Sequence, residues 1–127
     1  MVAAVEHVRL MRSQKILVIG SKTPRSLNEL LHATDSRVTQ VADGQTAVSR
    51  AQCEMFHAAI LISTGEEMDL AETLFNLRDI SGSMELIILS DQSDAAKSAV
   101  PMETLVSLVP KASVMTTREL MKRLNAP

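Results

Sequence analysis

The side chains in this 127-residue chain whose types could do chemistry stand behind apolar runs. Ser63, Thr64, Glu66 and Glu67 follow Ala58–Ile62, Gly20 and Ser21 follow Lys15–Ile19, Ser90 follows Glu85–Leu89, and Lys111 follows Thr104–Val109. A hydroxyl can carry a phosphoester, a lysine can neutralise one, and a pair of glutamates can attract a cation or a basic partner. Taken singly, the hydroxyls read as turn caps and the glutamates as a solvated loop. No acid, histidine or cysteine stands directly at the end of the Ala58–Ile62 run, and no nucleophile and base can be paired.

The remaining reactive types are scattered. His7, His32 and His57 fall in no ligand spacing, and His57 opens the third apolar run, at the end away from the hydroxyls. Cys53 is the only cysteine and has Glu54 beside it, not a cation that would favour the thiolate. It can form no intramolecular disulfide and no Cys-rich zinc site. The first loop, in KILVIGSKTP, lacks both G-x-G-x-x-G and the P-loop pattern. The expectation is a chain that is not an enzyme and holds neither metal nor cofactor.

Composition narrows the partners. Thirteen basic against 15 acidic residues give a net charge of −2, and two Phe without Tyr or Trp offer no stacking platform, so nucleic acid is not expected to bind. No apolar window reaches the length of a membrane span, and Glu6, His7 and Arg9 break the N-terminal stretch, so the expected location is cytoplasmic.

The elements that must position these residues follow from hydrophobic periodicity. KILVIG, RVTQVA, HAAILIS, MELIILS and TLVSLV read as five strands. Between and after them stand helices: one opened by Pro24 with Leu27, Leu30 and Leu31 inward; one with Ala47, Val48, Ala51 and Met55 inward; one with Leu70, Leu74, Leu77 and Phe75; an Ala-rich one capped by Asp94 and stopped at Pro101; and a last with Leu120, Met121 and Leu124. Residues 1–14 form an N-terminal extension in which Val5, Val8 and Met11 share one helix edge, either packing on a neighbour or frayed. Residues 15–127 form one domain. Five short apolar strands alternating with helices predict an α/β, doubly wound parallel sheet, flavodoxin-like in the order 2-1-3-4-5, with functional loops at the carboxyl ends of the strands.

KILVIG with its Pro-initiated helix, VADGQTAV, AAILI with MDLAETLFNLR, ELIILS, and LVPKAS together make the chain resemble the CheY-like receiver domain of bacterial response regulators, over roughly Lys15 to Leu124. The resemblance implies a phosphoacceptor aspartate at the end of the third strand and an acidic pair, holding Mg²⁺, after the first. Here the acidic-pair positions fall on Gly20 and Ser21, and the acceptor on Ile62, or on Ser63 if the loop is one residue shorter. Ser90 matches the hydroxyl that contacts the phosphoryl group and Lys111 the lysine after the fifth strand, though with proline before the lysine instead of after it. Ser107 and Leu108 occupy the neighbourhood of the aromatic switch. The chain reads as a pseudo-receiver, with too few hard oxygen ligands for an octahedral Mg²⁺ site.

A two-component signalling role by protein–protein contact is then the expected function. The partner is another signalling protein, or a second copy through the fourth-helix, fifth-strand, fifth-helix face that holds Ala95, Ala99, Met102, Ser107 and Met121. Two other readings stay open: a phosphorylatable regulator with an atypical acceptor, and a small-ligand-binding α/β module.

Overall fold

A computed structural model describes residues 14–20, 23–33, 36–62, 70–90 and 102–125. The strands are β1 (Lys15–Ile19), β2 (Arg37–Val41), β3 (Ala58–Leu61), β4 (Glu85–Leu89) and β5 (Ala112–Met115). The helices are α1 (Arg25–Ala33), α2 (Gly44–Cys53), α3 (Leu70–Ile80), α4 (Met102–Leu108) and α5 (Thr117–Asn125). All pairings are parallel and the order is β2-β1-β3-β4-β5, the flavodoxin-like arrangement read from the sequence.

Alternation along the inner strands divides the core into two layers. Leu17, Ile19, Ala59, Leu61, Leu86 and Ile88 face α2, α3 and α4, with Ala47, Leu74, Leu77 and Leu105 packed over them. Ile16, Val18, Ile60, Ile62, Ile87 and Leu89 face α1 and α5, under Leu27, Leu31, Leu120 and Leu124. A strand covered on both faces needs apolar residues at every position, which is why β1, β3 and β4 read as continuous runs. Each helix carries the chain back from the carboxyl edge of the sheet to its amino edge, so all five helices begin at the edge where this fold places its functional loops.

Helices α2 and α3 meet at Gly44 and Thr73, both buried. A Cβ on Gly44 would fall far inside contact distance of Thr73 Oγ1, so the first turn of α2 approaches α3 as only glycine permits. Asp43 caps that turn, its side chain accepting a 2.7 Å bond from Thr46 N.

Three sequence expectations change. TLVSLV is not the fifth strand: Thr104–Leu108 belongs to α4, with Met102 and Leu105 facing inward, and the strand is the later Ala112–Met115. Met55 lies past the end of α2 and is 75% exposed, and Phe75 is 46% exposed, so neither joins the buried stripe of its helix. Asp94 and Pro101, read as cap and stop of the fourth helix, lie outside the described residues, as do residues 1–13 of the N-terminal extension.

Candidate functional site

The carboxyl edge of the sheet is assembled from Gly20 after β1, Ile62 after β3, Ser90 after β4 and Thr116 after β5. Ladder hydrogen bonds continue one residue past the strands and tie these ends together: Gly20 N donates to Val41 O at 2.8 Å, Ile62 N to Ile19 O at 2.7 Å and Ser90 N to Met115 O at 2.9 Å. The edge is closed by packing at its centre. Gly20 has φ +140°, a conformation that L side chains rarely adopt, and a Cβ there would overlap the Ile62 carbonyl oxygen. Ile62 has no exposed surface and lies in the apolar layer beneath α1 and α5.

Around this centre the polar groups are already engaged with the protein. Gln40 Nε2 donates to the Gly20 carbonyl at 3.2 Å and to Thr23 Oγ1 at 2.6 Å, fastening the chain after β1 to the end of β2. Thr116 and Glu119 form a reciprocal cap at the start of α5: Thr116 N donates to Glu119 Oε1, and Glu119 N to Thr116 Oγ1, both at 3.1 Å. None of Gln40, Thr23, Thr116 and Glu119 was singled out from the sequence. The Thr-x-x-Glu spacing before Leu120 and Leu124 is a recognisable helix start, whereas nothing local betrays the bond across from Gln40.

Lys111 is the main correction at the site. Because β5 is Ala112–Met115, Lys111 precedes the strand instead of following it, and its carbonyl accepts from Leu86 N at 3.0 Å, near the start of β4. It therefore stands on the amino edge, at the other end of the sheet from Gly20, Ile62 and Ser90. The place after β5 belongs to Thr116. Ser107 and Leu108 likewise lie on α4, not on the strand, and β5 itself, ASVM, has no aromatic residue. Ser21, Ser63, Thr64, Glu66 and Glu67 lie outside the described residues.

The residues here do not suit the Mg²⁺ that the receiver resemblance implies. A hard dication wants several oxygen ligands, with one or two carboxylates among them. At the described positions it would find the hydroxyl of half-buried Ser90 and main-chain carbonyls, of which those of Gly20 and Ile62 face Gln40 and the Gly20 backbone. Among the described residues no three His, Cys, Asp or Glu side chains are grouped to hold a metal ion.

The carboxylate of Asp43 is the titrating group nearest to this edge whose behaviour the fold alters. Its bond from Thr46 N, helped by Gln45 N, holds it below the usual carboxylate range. A carboxylate depressed in the folded state adds stability above its unfolded pKa, and this is lost as pH falls through the folded value. Asn can still cap a helix but cannot titrate. In urea melts between about pH 5 and about pH 2, Asp43→Asn should therefore fall off less steeply with acid than the native chain. Equal slopes would remove this role from Asp43.

The proposed contact face is divided. Ser107 is exposed on α4 and Met121 half-buried on α5. Met102 is 6% exposed and faces the core, so it is not a contact residue. Ala95 and Ala99 lie outside the described residues. Among the described residues no helix is long and apolar enough to cross a membrane.

No protein-family model matches the chain, and no curated protein does. Among solved structures, a chain of the crystal structure of histidine kinase ThkA in complex with response regulator protein TrrA aligns with a TM-score of 0.58 at 16% identity, covering 89% of this chain and 99% of that one. Likeness at that identity is a likeness of fold, and it agrees with the doubly wound, five-stranded parallel sheet described above.

Proposed function

From a receiver-like fold whose strands β1 and β3 end in Gly20 and Ile62 where the resemblance implies acids, we propose that this chain is a signalling domain of the two-component type that acts by protein–protein contact and accepts no phosphoryl group. The observation that carries the reading is the Gly20–Ile62 contact. Phosphoryl transfer to a carboxylate needs an acid at the end of β3 and a cation beside it, and here that position is an isoleucine sealed in the core with the β1 backbone against its carbonyl. The structure in the likeness comes from a complex of a kinase with a response regulator, which supports a second signalling protein as the partner. The exposed part of the α4, β5 and α5 face, with Ser107 and Met121, is where contact is expected. A cytoplasmic setting in a bacterial cell belongs to the same reading.

The test is an amide NMR titration with Mg²⁺, then with Mg²⁺ and beryllofluoride, which mimics an acyl phosphate. Resonances of Gly20, Ile62 and Ser90 are expected to stay in place at millimolar metal. Saturable shifts at those residues, with Lys111 at the far edge unmoved, would show a working site with an atypical acceptor and overturn the reading.

A further inference from the structure

Exposed charges on α1 and α2 pair along their own helices, Arg25 with Glu29 at 3.3 Å and Arg50 with Glu54 at 3.4 Å. Helices α3 and α5 differ. On α3 the exposed residues Glu72, Phe75, Asn76 and Asp79 share the outer stripe. The one base of that helix, Arg78, is turned aside, its Nη1 donating to Ser81 O at 2.7 Å. On α5, Arg118 and Lys122 stand exposed one turn apart, with half-buried Met121 beside them. The other charges there are engaged, Glu119 in the helix cap and Arg123 on Glu85 at 2.8 Å. Asp79, Arg118 and Lys122 therefore have no ion pair among the described residues.

The two stripes lie on opposite sides of the sheet, α3 over the layer that holds Leu74 and Leu77, α5 over the layer that holds Leu120 and Leu124. One is acidic around an exposed aromatic ring and the other is basic. A phenyl face with a carboxylate beside it suits a guanidinium or ammonium group: the cation meets ring and acid together, and its apolar stem covers the ring. Pairing either stripe with the same stripe of a second copy sets like charges together, Glu72 against Asp79 or Arg118 against Lys122, which opposes association. Pairing one stripe with the other matches both signs. Residues four apart are about 6 Å apart along a helix, so Arg118 and Lys122 have the same spacing as Phe75 and Asp79, and the two helices can meet over a single turn.

We infer that this protein associates head to tail with further copies of itself, Arg118 and Lys122 of one copy seated on Phe75 and Asp79 of the next. Because the stripes are on opposite sides of the sheet, a pair held by one such contact keeps one unoccupied stripe of each kind, and the contact repeats without closing at two. This association is separate from the contact with a second signalling protein proposed above and does not depend on it.

Sedimentation velocity of the full chain from about 10 μM to about 1 mM, in about 50 mM and about 500 mM salt, is the test. In low salt the weight-average mass should rise with concentration beyond that of a dimer, and in high salt it should fall back. Asp79→Arg spoils one stripe, and Arg118→Gln combined with Lys122→Gln spoils the other; each variant alone should associate at least about tenfold more weakly than the native chain. Mixed one to one, the two variants should form dimers and nothing longer, since one intact stripe of each kind remains. Recovery on mixing also shows that both variants are folded. A native chain that stays monomeric throughout overturns the proposal, as does a mass that levels off at the dimer, the mark of a face paired with itself. Unchanged association in either variant, or a mixture that stays monomeric, overturns it too.

Discussion

Placing an aspartate at Ile62, where the receiver pattern has its acceptor, should unfold most of the protein at neutral pH instead of creating a phosphorylation site. Ile62 is fully buried among Ile16, Ile60, Leu89 and the helices α1 and α5. A carboxyl group with no partner there has its pKa raised by as much as about 3–5 units, at about 1.4 kcal/mol each. The lost isoleucine packing adds about 2–4 kcal/mol. The sum is comparable with the whole stability of a small domain, about 5–15 kcal/mol. The pH dependence identifies the cause. A raised folded-state pKa makes the charge penalty largest above that value, and the penalty disappears as pH falls toward the unfolded value near 4. Urea melts of Ile62→Asp and Ile62→Asn at about pH 7 and about pH 4 should therefore differ: the aspartate recovers relative to the native chain, and the asparagine does not. A stable Ile62→Asp protein that binds Mg²⁺ at pH 7 would show the edge to be open after all.

The second large effect is expected at Gly20, the matching position on β1. Gly20→Asp and Gly20→Ala should both cost about 2–6 kcal/mol, from backbone strain of about 1–3 kcal/mol and a forced shift of similar size. The shared cause is the Cβ, which meets the Ile62 carbonyl whatever follows it. Equal losses in the two variants, measured as shifts in denaturant midpoint at constant slope, would place the barrier in the backbone. An aspartate variant as stable as the native chain would mean that the ends of β1 and β3 can separate. An acid then cannot enter either position singly, because Gly20 and the Ile62 carbonyl pack against each other.

The buried strands were legible because they are covered on both sides, and KILVI, AAIL and ELIIL have no other good use in a domain of this size. The edge strand β5 was not. ASVM is short and only Met115 is buried, whereas Thr104–Val109 is richer in apolar, β-branched residues and drew the assignment. The inward residues Met102, Leu105 and Val109 recur at intervals of three and four, a helical signature that a reading by apolar content passes over. That misplacement moved Lys111 to the wrong end of the sheet. At the candidate site, the non-acidic residues at positions 20 and 62 could be read directly, but how they pack could not. The Gly20–Ile62 contact and the bond from Gln40 to the Gly20 carbonyl join residues 20 or more positions apart, and only the parallel register of β1 with β2 and β3 brings them together.

With its site role gone, Lys111 acquires another. It is the one non-glycine residue with positive φ among those described, at +59°, and it stands immediately before β5, one of the two outer strands of the sheet. On the other side of β5 the reciprocal cap of Thr116 and Glu119 turns the chain at once into α5. The open ladder of β5 is thereby held to four residues, with a flexible cation at its entrance and a helix at its exit. An uncharged strand such as ASVM would otherwise template the addition of strands from other molecules, the first step of sheet-driven aggregation. A left-handed lysine before it and a threonine cap after it thus bound an edge strand of four residues, and short edges flanked by charge are how sheets discourage such pairing.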